Sequence, residues 1–111
     1  MSAFKTFEDQ EYLVLASWHN GNMIDVYGSD GLDVYNVLYE PVYQYVRDLY
    51  NEGYLADEDK DWVRDNFFNN FHMDQSTLEF VLDNFVDPEV LSIKVIRCDR
   101  TMSTVFEWGT K

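Results

Sequence analysis

The sequence is poor in basic residues, with 8 Lys and Arg against 21 Asp and Glu, and its formal net charge is −13. Proteins that bind nucleic acid directly need a basic surface, and anionic membranes also attract basic segments. The composition therefore argues against both kinds of partner. A negative field favours cations instead: metal ions, basic peptides, or the basic grooves of proteins that act on nucleic acids.

Cysteine and long apolar runs are also scarce. The single cysteine, Cys98, cannot form an internal disulfide, and one free thiol is typical of a reducing compartment. No apolar run approaches the roughly 18 residues that a membrane-spanning helix needs. Residues 1–5 lack the basic and apolar regions of a signal peptide. These features predict a cytosolic protein.

The motifs of common enzyme sites are missing. The chain contains no G-x-S-x-G nucleophile turn and no glycine-rich phosphate loop. His19, His72 and Cys98 fall on three different predicted elements, at none of the spacings typical of metal ligands. We therefore predict no catalytic residue, no metal site and no cofactor, and we expect that the protein is not an enzyme.

One acidic segment partly matches a calcium-binding loop. Asp57, Asp59 and Asp61 have the spacing that opens an EF-hand loop. Trp62 stands where that loop needs glycine, and Phe68 stands where it needs a bidentate glutamate. We interpret the segment as the acidic start of a helix, where negative charge interacts favourably with the helix dipole.

Apolar residues make up 46% of the 111 residues and aromatic residues 17%, which excludes a disordered chain. We expect a single domain over residues 1–111. Alternating apolar positions predict strands at both ends of the chain, and helical spacing predicts three helices between them. The order β-β-α-α-α-β-β predicts an α+β fold in which helices cover one face of an antiparallel sheet of about four strands.

Local signals predict the boundaries of these elements. Asn20-Gly21 predicts a tight turn between the first two strands. Pro41 predicts a kink or the start of a new helix, because proline cannot sit comfortably inside one. Asp74 or Ser76 is predicted to cap the last helix, and Ser76 with Glu79 matches a capping box.

The acidic residues are concentrated and regularly spaced. Residues 25–89 hold 16 acids against Arg47, Lys60 and Arg64, which equals the whole net charge of −13. Many of these acids recur at intervals of four residues, so that each set shares one helix face. The candidate partner-binding residues are Asp48, Glu52, Asp57, Asp59, Asp61, Asp65, Glu79, Asp83 and Asp87.

These rows destabilise their helices, since like charges four residues apart cost a few tenths of a kcal/mol per pair. Few basic residues are available to offset that cost, which suggests that the negative field has a use. Carboxylates one turn apart lie roughly 6 Å from each other, comparable with the charge spacing along a nucleic-acid backbone. The alternative interpretation is an acidic surface that serves solvation only.

Tyrosines form a second regular pattern. Tyr35, Tyr39 and Tyr43 are four residues apart, and Tyr50 and Tyr54 follow. Tyrosine commonly packs at the edge of a core with its hydroxyl in water, and packing is our interpretation of most of the row. The alternative is a recognition surface, because Tyr and Trp are enriched at binding interfaces.

In size and composition the chain resembles the small acidic inhibitors that phages and mobile elements direct against restriction, CRISPR or other nucleic-acid enzymes. The resemblance covers mainly residues 25–89 and assigns a role to no particular residue. It implies an inhibitor that blocks the basic nucleic-acid-binding or catalytic groove of a target enzyme. Two alternatives stay open: an immunity protein that neutralises a basic nuclease toxin, and an adaptor that binds a partner through exposed aromatics.

Overall fold

The structure is a computed structural model that describes residues 7, 9–70 and 74–109. A π-helical turn over Arg64–Phe68 directly continues the second helix. The elements are β1 (Glu11–Trp18), β2 (Met23–Asp30), α1 (Val34–Asn51), α2 (Asp57–Val63), α3 (Gln75–Phe85), β3 (Leu91–Arg97) and β4 (Thr104–Trp108). The predicted order β-β-α-α-α-β-β is confirmed.

The four strands form one antiparallel sheet in the order β2-β1-β3-β4. Alternate residues of β1, Tyr12, Val14 and Ala16, are buried, because they point toward the helices. Their partners on β3 include Val95 and Ile93, which are also buried. The helices therefore cover one face of the sheet, as the α+β prediction requires.

The first hairpin differs from the two-residue turn that Asn20-Gly21 predicts. Trp18 pairs with Met23, so that four residues form the loop. The left-handed backbone conformation falls at Asn22, with φ of 52°. Asparagine tolerates this conformation better than most residues, because its short polar side chain can hydrogen-bond locally.

Pro41 does not start a new helix, which was one of its two predicted outcomes. It is a buried residue inside the 18-residue helix α1. A proline in a helix interior costs about 3 kcal/mol. The helix buries Val34, Leu38, Val42 and Val46 completely, and each such side chain contributes roughly 1.5–3 kcal/mol as an upper value. The continuous apolar stripe outweighs the proline, which is why the helix passes through it.

The N-terminus of α3 shows which of the two predicted residues caps the helix. Asp74 is the cap, since its Oδ1 accepts a hydrogen bond of 2.7 Å from the Thr77 amide. Ser76 instead lies inside the first turn, and its hydroxyl donates to Asp74 Oδ1 at 3.1 Å. The predicted capping box of Ser76 and Glu79 is therefore wrong, because the helix starts one residue before Ser76.

Within the described ranges, none of the helices is both long enough and apolar enough to cross a membrane.

Candidate functional site

Helices α2 and α3 contact each other through aromatic side chains. The ring centroid of Trp62 lies 4.6 Å from that of Phe80 and 6.0 Å from that of Phe85. Asp61 precedes Trp62 in the chain, and Glu79 precedes Phe80. This aromatic seam therefore holds the two acid-bearing helices side by side.

A second aromatic contact joins α1 to the other side of α2. The Tyr50 ring lies 5.3 Å from the Phe68 ring, and Lys60 Nζ lies 5.5 Å from the Tyr50 centroid. Lys60 and Trp62 are two residues apart, which places them on roughly opposite sides of a helix. Helix α2 therefore contacts both α3 and the C-terminal part of α1 through side chains. Helices α1 and α3 also contact each other directly, and the Asp87 amide beyond α3 donates a hydrogen bond of 3.1 Å to the Tyr45 hydroxyl of α1. The three acid-bearing elements thus form one contiguous group, which we call the helical layer.

The row of three aspartates on α2 faces solvent. Asp57, Asp61 and Asp65 are all exposed. Asp59 lies about 200° around the helix from Asp57, and it is half-buried. Asp59 was predicted as part of the binding set, but it does not share the exposed row. The π-helical turn begins at Arg64, so Asp65 lies where the helix widens.

Arg64 partly neutralises this row. Its guanidinium lies 3.3 Å from Asp61 Oδ1 and 3.1 Å from Asp65 Oδ1. The hydrogen bond to Asp65 is the main reason that the pKa of Arg64 is raised, and the Asp65 and Asp61 charges add to it. Exposed ion pairs of this kind contribute little to stability. They leave the row with a net charge of −2, from three carboxylates and one guanidinium.

The acids of α3 stand in different surroundings. Glu79 is half-buried, and its charge adds to burial in raising the pKa of Tyr35. Asp83 is exposed and accepts a hydrogen bond of 3.3 Å from Trp108 Nε1. Asp87 lies two residues beyond the end of the helix, where its Oδ1 accepts from the Glu89 amide at 2.9 Å. The predicted row therefore continues past the helix into a turn.

The α3 flank comes from a part of the sequence that is poor in Lys and Arg. The sequence contains no Lys or Arg between Arg64 and Lys94, a stretch with six acids. A shallow surface groove of about 290 Å³ runs along helix α3. Its lining residues are Ser76, Glu79, Phe80, Asp83 and Asn84.

The end of α1 carries the last two predicted acids. Asp48 is exposed and lies 3.9 Å from the guanidinium of Arg47. Glu52 follows the last residue of the helix, and its amide donates to the Asp48 carbonyl at 3.0 Å. Arg47 also lies over the ring of Tyr43, 5.8 Å from its centroid. Both acids therefore border the layer at its α1 end.

We call the exposed members of the predicted set the acidic helical surface. Asp59 and Glu79, the two half-buried members, border it. The acidic helical surface consists of Asp48, Glu52, Asp57, Asp61, Asp65, Asp83 and Asp87.

Phe80 is a surface residue that the sequence pattern did not single out. It is 44% exposed and contacts Trp62 in the seam between the two helices. The buried apolar stripe of α3 consists of Leu78, Val81 and Leu82 and does not include Phe80. An aromatic residue outside the buried stripe of an amphipathic helix was the signal available in the sequence.

The tyrosine row is mostly packed, in line with our interpretation. Tyr39 and Tyr43 stack on each other at 5.4 Å, and Tyr39 stacks on the buried Phe67 at 4.8 Å. The Tyr39 hydroxyl donates to the Phe67 carbonyl at 3.1 Å, and burial is the main cause that raises its pKa to about 12. Tyr54 is an exception, with 73% of its surface exposed. The row therefore offers few free rings to a partner.

The structure also places the candidate metal and nucleophile residues. Among the described residues, no three His, Cys, Asp or Glu side chains are grouped so that they could hold a metal ion. His72 lies outside those residues. His19 is exposed, and its Nε2 lies 2.9 Å from Ser92 Oγ. Ser92 is only 3% exposed, so its hydroxyl is not accessible to a substrate.

Cys98 follows β3 directly and is half-buried, and its amide donates to the Glu11 carbonyl at 3.0 Å.

Comparison of the chain with models of protein families, with curated proteins and with solved structures finds no match.

Proposed function

We propose that the protein is an inhibitor whose acidic helical surface occupies the basic nucleic-acid-binding or catalytic groove of a target enzyme. The observation that carries the proposal is the contiguity of the three acid-bearing elements. Aromatic contacts on both sides of α2 hold the carboxylates in one layer. That layer lies on one side of the sheet.

The arrangement suits the task for three physical reasons. A concentrated negative field steers the protein toward a basic surface and raises the rate of encounter. The carboxylates stand on packed helices, so that little conformational entropy is lost on binding. A target groove that has bound counterions releases them on contact, as it does when it binds a nucleic acid.

The packing of the tyrosines supports this function over an adaptor that binds through aromatics. Tyr39 and Tyr43 contact Phe67 and each other and are not free for a partner. By contrast, the side chains of Asp48, Asp61 and Asp65 are 67%, 68% and 62% exposed. The accessible groups of the helical layer are mainly its carboxylates.

The test uses two triple variants that change the net charge equally. The first replaces Asp57, Asp61 and Asp65 by Lys, and the net charge moves from −13 to −7. The control makes the same change at three exposed acids outside the helices, Asp9, Glu11 and Glu107. A further variant with Asn at 57, 61 and 65 removes charge without adding any. Circular dichroism checks that each variant keeps its helices.

Each tagged protein is used to capture partners from the lysate of the native host at low and at high salt. We expect the wild type and the control to retain a nucleic-acid enzyme at low salt, and a short DNA or RNA duplex to displace that enzyme. The Lys and Asn variants should lose it. Equal capture by all four proteins, or a captured protein that no nucleic acid displaces, would contradict the proposal.

A further inference from the structure

Phe80 exposes part of its ring in the groove along helix α3. The ring is 44% exposed, and it lines the groove together with two carboxylates, those of Glu79 and Asp83. Its remaining surface is packed, because the ring centroid lies 4.6 Å from that of Trp62 and 6.0 Å from that of Phe85. The exposed part of the ring is therefore a fixed apolar surface. We call this site the Phe80 groove.

Asp83 stands beside this ring in a defined orientation. Phe80 and Asp83 are three residues apart, so their Cβ atoms lie about 5–6 Å from each other on one side of the helix. Asp83 Oδ1 accepts a hydrogen bond of 3.3 Å from Trp108 Nε1, which is the only hydrogen bond of Asp83 within the described part of the chain. A carboxylate can accept about four. Asp83 is therefore oriented by Trp108 and can accept further hydrogen bonds from a ligand.

The chemistry of the Phe80 groove matches a cation with an apolar stem. Helix α3 contains no Lys or Arg, and its two acids lie one turn apart. An anion would be repelled, and a neutral apolar ligand would bury a carboxylate without a partner, which is costly. A long basic side chain packs its stem on an apolar surface and keeps its charged head beside the carboxylates. The volume of about 290 Å³ lies below the roughly 300 Å³ at which small-molecule sites begin, so the groove suits a single side chain.

We propose that the Phe80 groove binds an arginine side chain of the basic partner, with the guanidinium on the exposed ring of Phe80 and its N–H groups donating to Asp83. The partner is that of the proposed function, on which this inference rests. Arginine fits better than lysine, because the planar guanidinium stacks on aromatic rings and donates two parallel hydrogen bonds to one carboxylate. The packed ring and the oriented carboxylate need little reordering on binding. The groove thus adds an anchor for one residue to a surface that otherwise acts through charge.

The isolated protein is sufficient to test the groove. N-acetylarginine amide is titrated into the isotope-labelled chain, and the amide and indole signals are followed by nuclear magnetic resonance. We expect the signals of α3 and of the Trp108 indole to shift and to saturate at millimolar concentrations of the probe. N-acetyllysine amide should bind about threefold more weakly, because it lacks the planar fork. N-acetylcitrulline amide has a similar shape without the charge and should bind about tenfold more weakly.

Two pairs of variants assign the binding to the ring and the carboxylate. Asp83→Asn keeps an acceptor for the Trp108 indole and should weaken binding of the arginine probe about tenfold. Asp9→Asn makes the same charge change at an exposed acid outside the helices and should bind like the wild type. Phe80→Leu keeps an apolar side chain against Trp62 and should weaken binding about threefold. Tyr54→Leu removes a ring that is 73% exposed elsewhere and should have no effect.

The same variants link the groove to the captured enzyme. Asp83→Asn and Phe80→Leu should each release the enzyme at lower salt than the wild type, and Asp9→Asn should not. Equal binding of the arginine and citrulline probes, or no loss of binding in Asp83→Asn, would overturn the inference. Capture of the enzyme that neither groove variant weakens would overturn it as well and would leave the proposed function intact. A wild type that binds the arginine probe in the groove and captures no nucleic-acid enzyme would contradict the proposed function alone.

Discussion

Removing the Trp62 side chain should loosen the contact between α2 and α3. Trp62 is half-buried and contacts the rings of Phe80 and Phe85. Replacing a fully buried Trp by Ala costs about 3–5 kcal/mol. For a half-buried residue in two ring contacts, each worth about 0.5–1.5 kcal/mol, we expect Trp62→Ala to lower the free energy of unfolding by about 2–3 kcal/mol. The melting temperature should fall by about 8–12 °C.

The assay is urea unfolding followed by far-ultraviolet circular dichroism, because the substitution removes a fluorophore. Trp62→Phe keeps an aromatic ring and should cost less than half as much. Tyr54→Ala removes a ring that is 73% exposed and should change stability by less than about 0.5 kcal/mol. If Trp62→Ala were as mild as Tyr54→Ala, the aromatic seam would not hold the acidic helices together.

Two further substitutions test local features of the fold. Asp74→Ala removes the cap of α3 and should lower the free energy of unfolding by about 1 kcal/mol at neutral pH. The hydrogen bonds from Thr77 hold the pKa of Asp74 below its usual 3.8, so the wild type should lose this advantage as the pH falls through that lowered pKa. Urea titrations that gave the same difference between wild type and variant at pH 7 and pH 3 would contradict the assignment. Gly109→Ala should destabilise the protein by more than about 1 kcal/mol, because φ is +76° and the new Cβ would lie 3.0 Å from the Leu91 carbonyl oxygen. Gly28→Ala is its control, since a Cβ there meets no atom within 4 Å, and thermal melts of the two variants should differ clearly.

The sequence was sufficient for the fold class and for the order of the elements. The order follows from apolar periodicity, as in the alternation of Tyr12, Val14 and Ala16 in β1, which depends only on local geometry. The sequence was not sufficient at Pro41, where local preference left a kink and the start of a new helix as alternatives. There the buried stripe on both sides of the proline decides the outcome, and it depends on tertiary packing.

The acidic rows were predictable from the sequence, and their arrangement relative to one another was not. Spacing by four residues placed Asp57, Asp61 and Asp65 in one row, and all three are exposed, whereas Asp59 was included in the predicted set and is half-buried. Spacing alone could not show that α2 lies beside α3, because the contact of Trp62 with Phe80 joins residues 18 positions apart. The position of the Arg64 guanidinium between Asp61 and Asp65 depends on side-chain conformation. The spacing of charges in the sequence does not predict that conformation.

The most direct measurement of the central claim is competition for the captured enzyme. The enzyme is first bound to a fluorescent duplex of its own nucleic acid, and the acidic protein is then added while fluorescence anisotropy is followed. We expect the anisotropy to fall to that of free duplex, with an apparent affinity that weakens steeply as salt rises. The variant with Lys at positions 57, 61 and 65 should leave the anisotropy unchanged. Anisotropy that rises as a ternary complex forms would contradict the claim that the acidic helical surface occupies the groove.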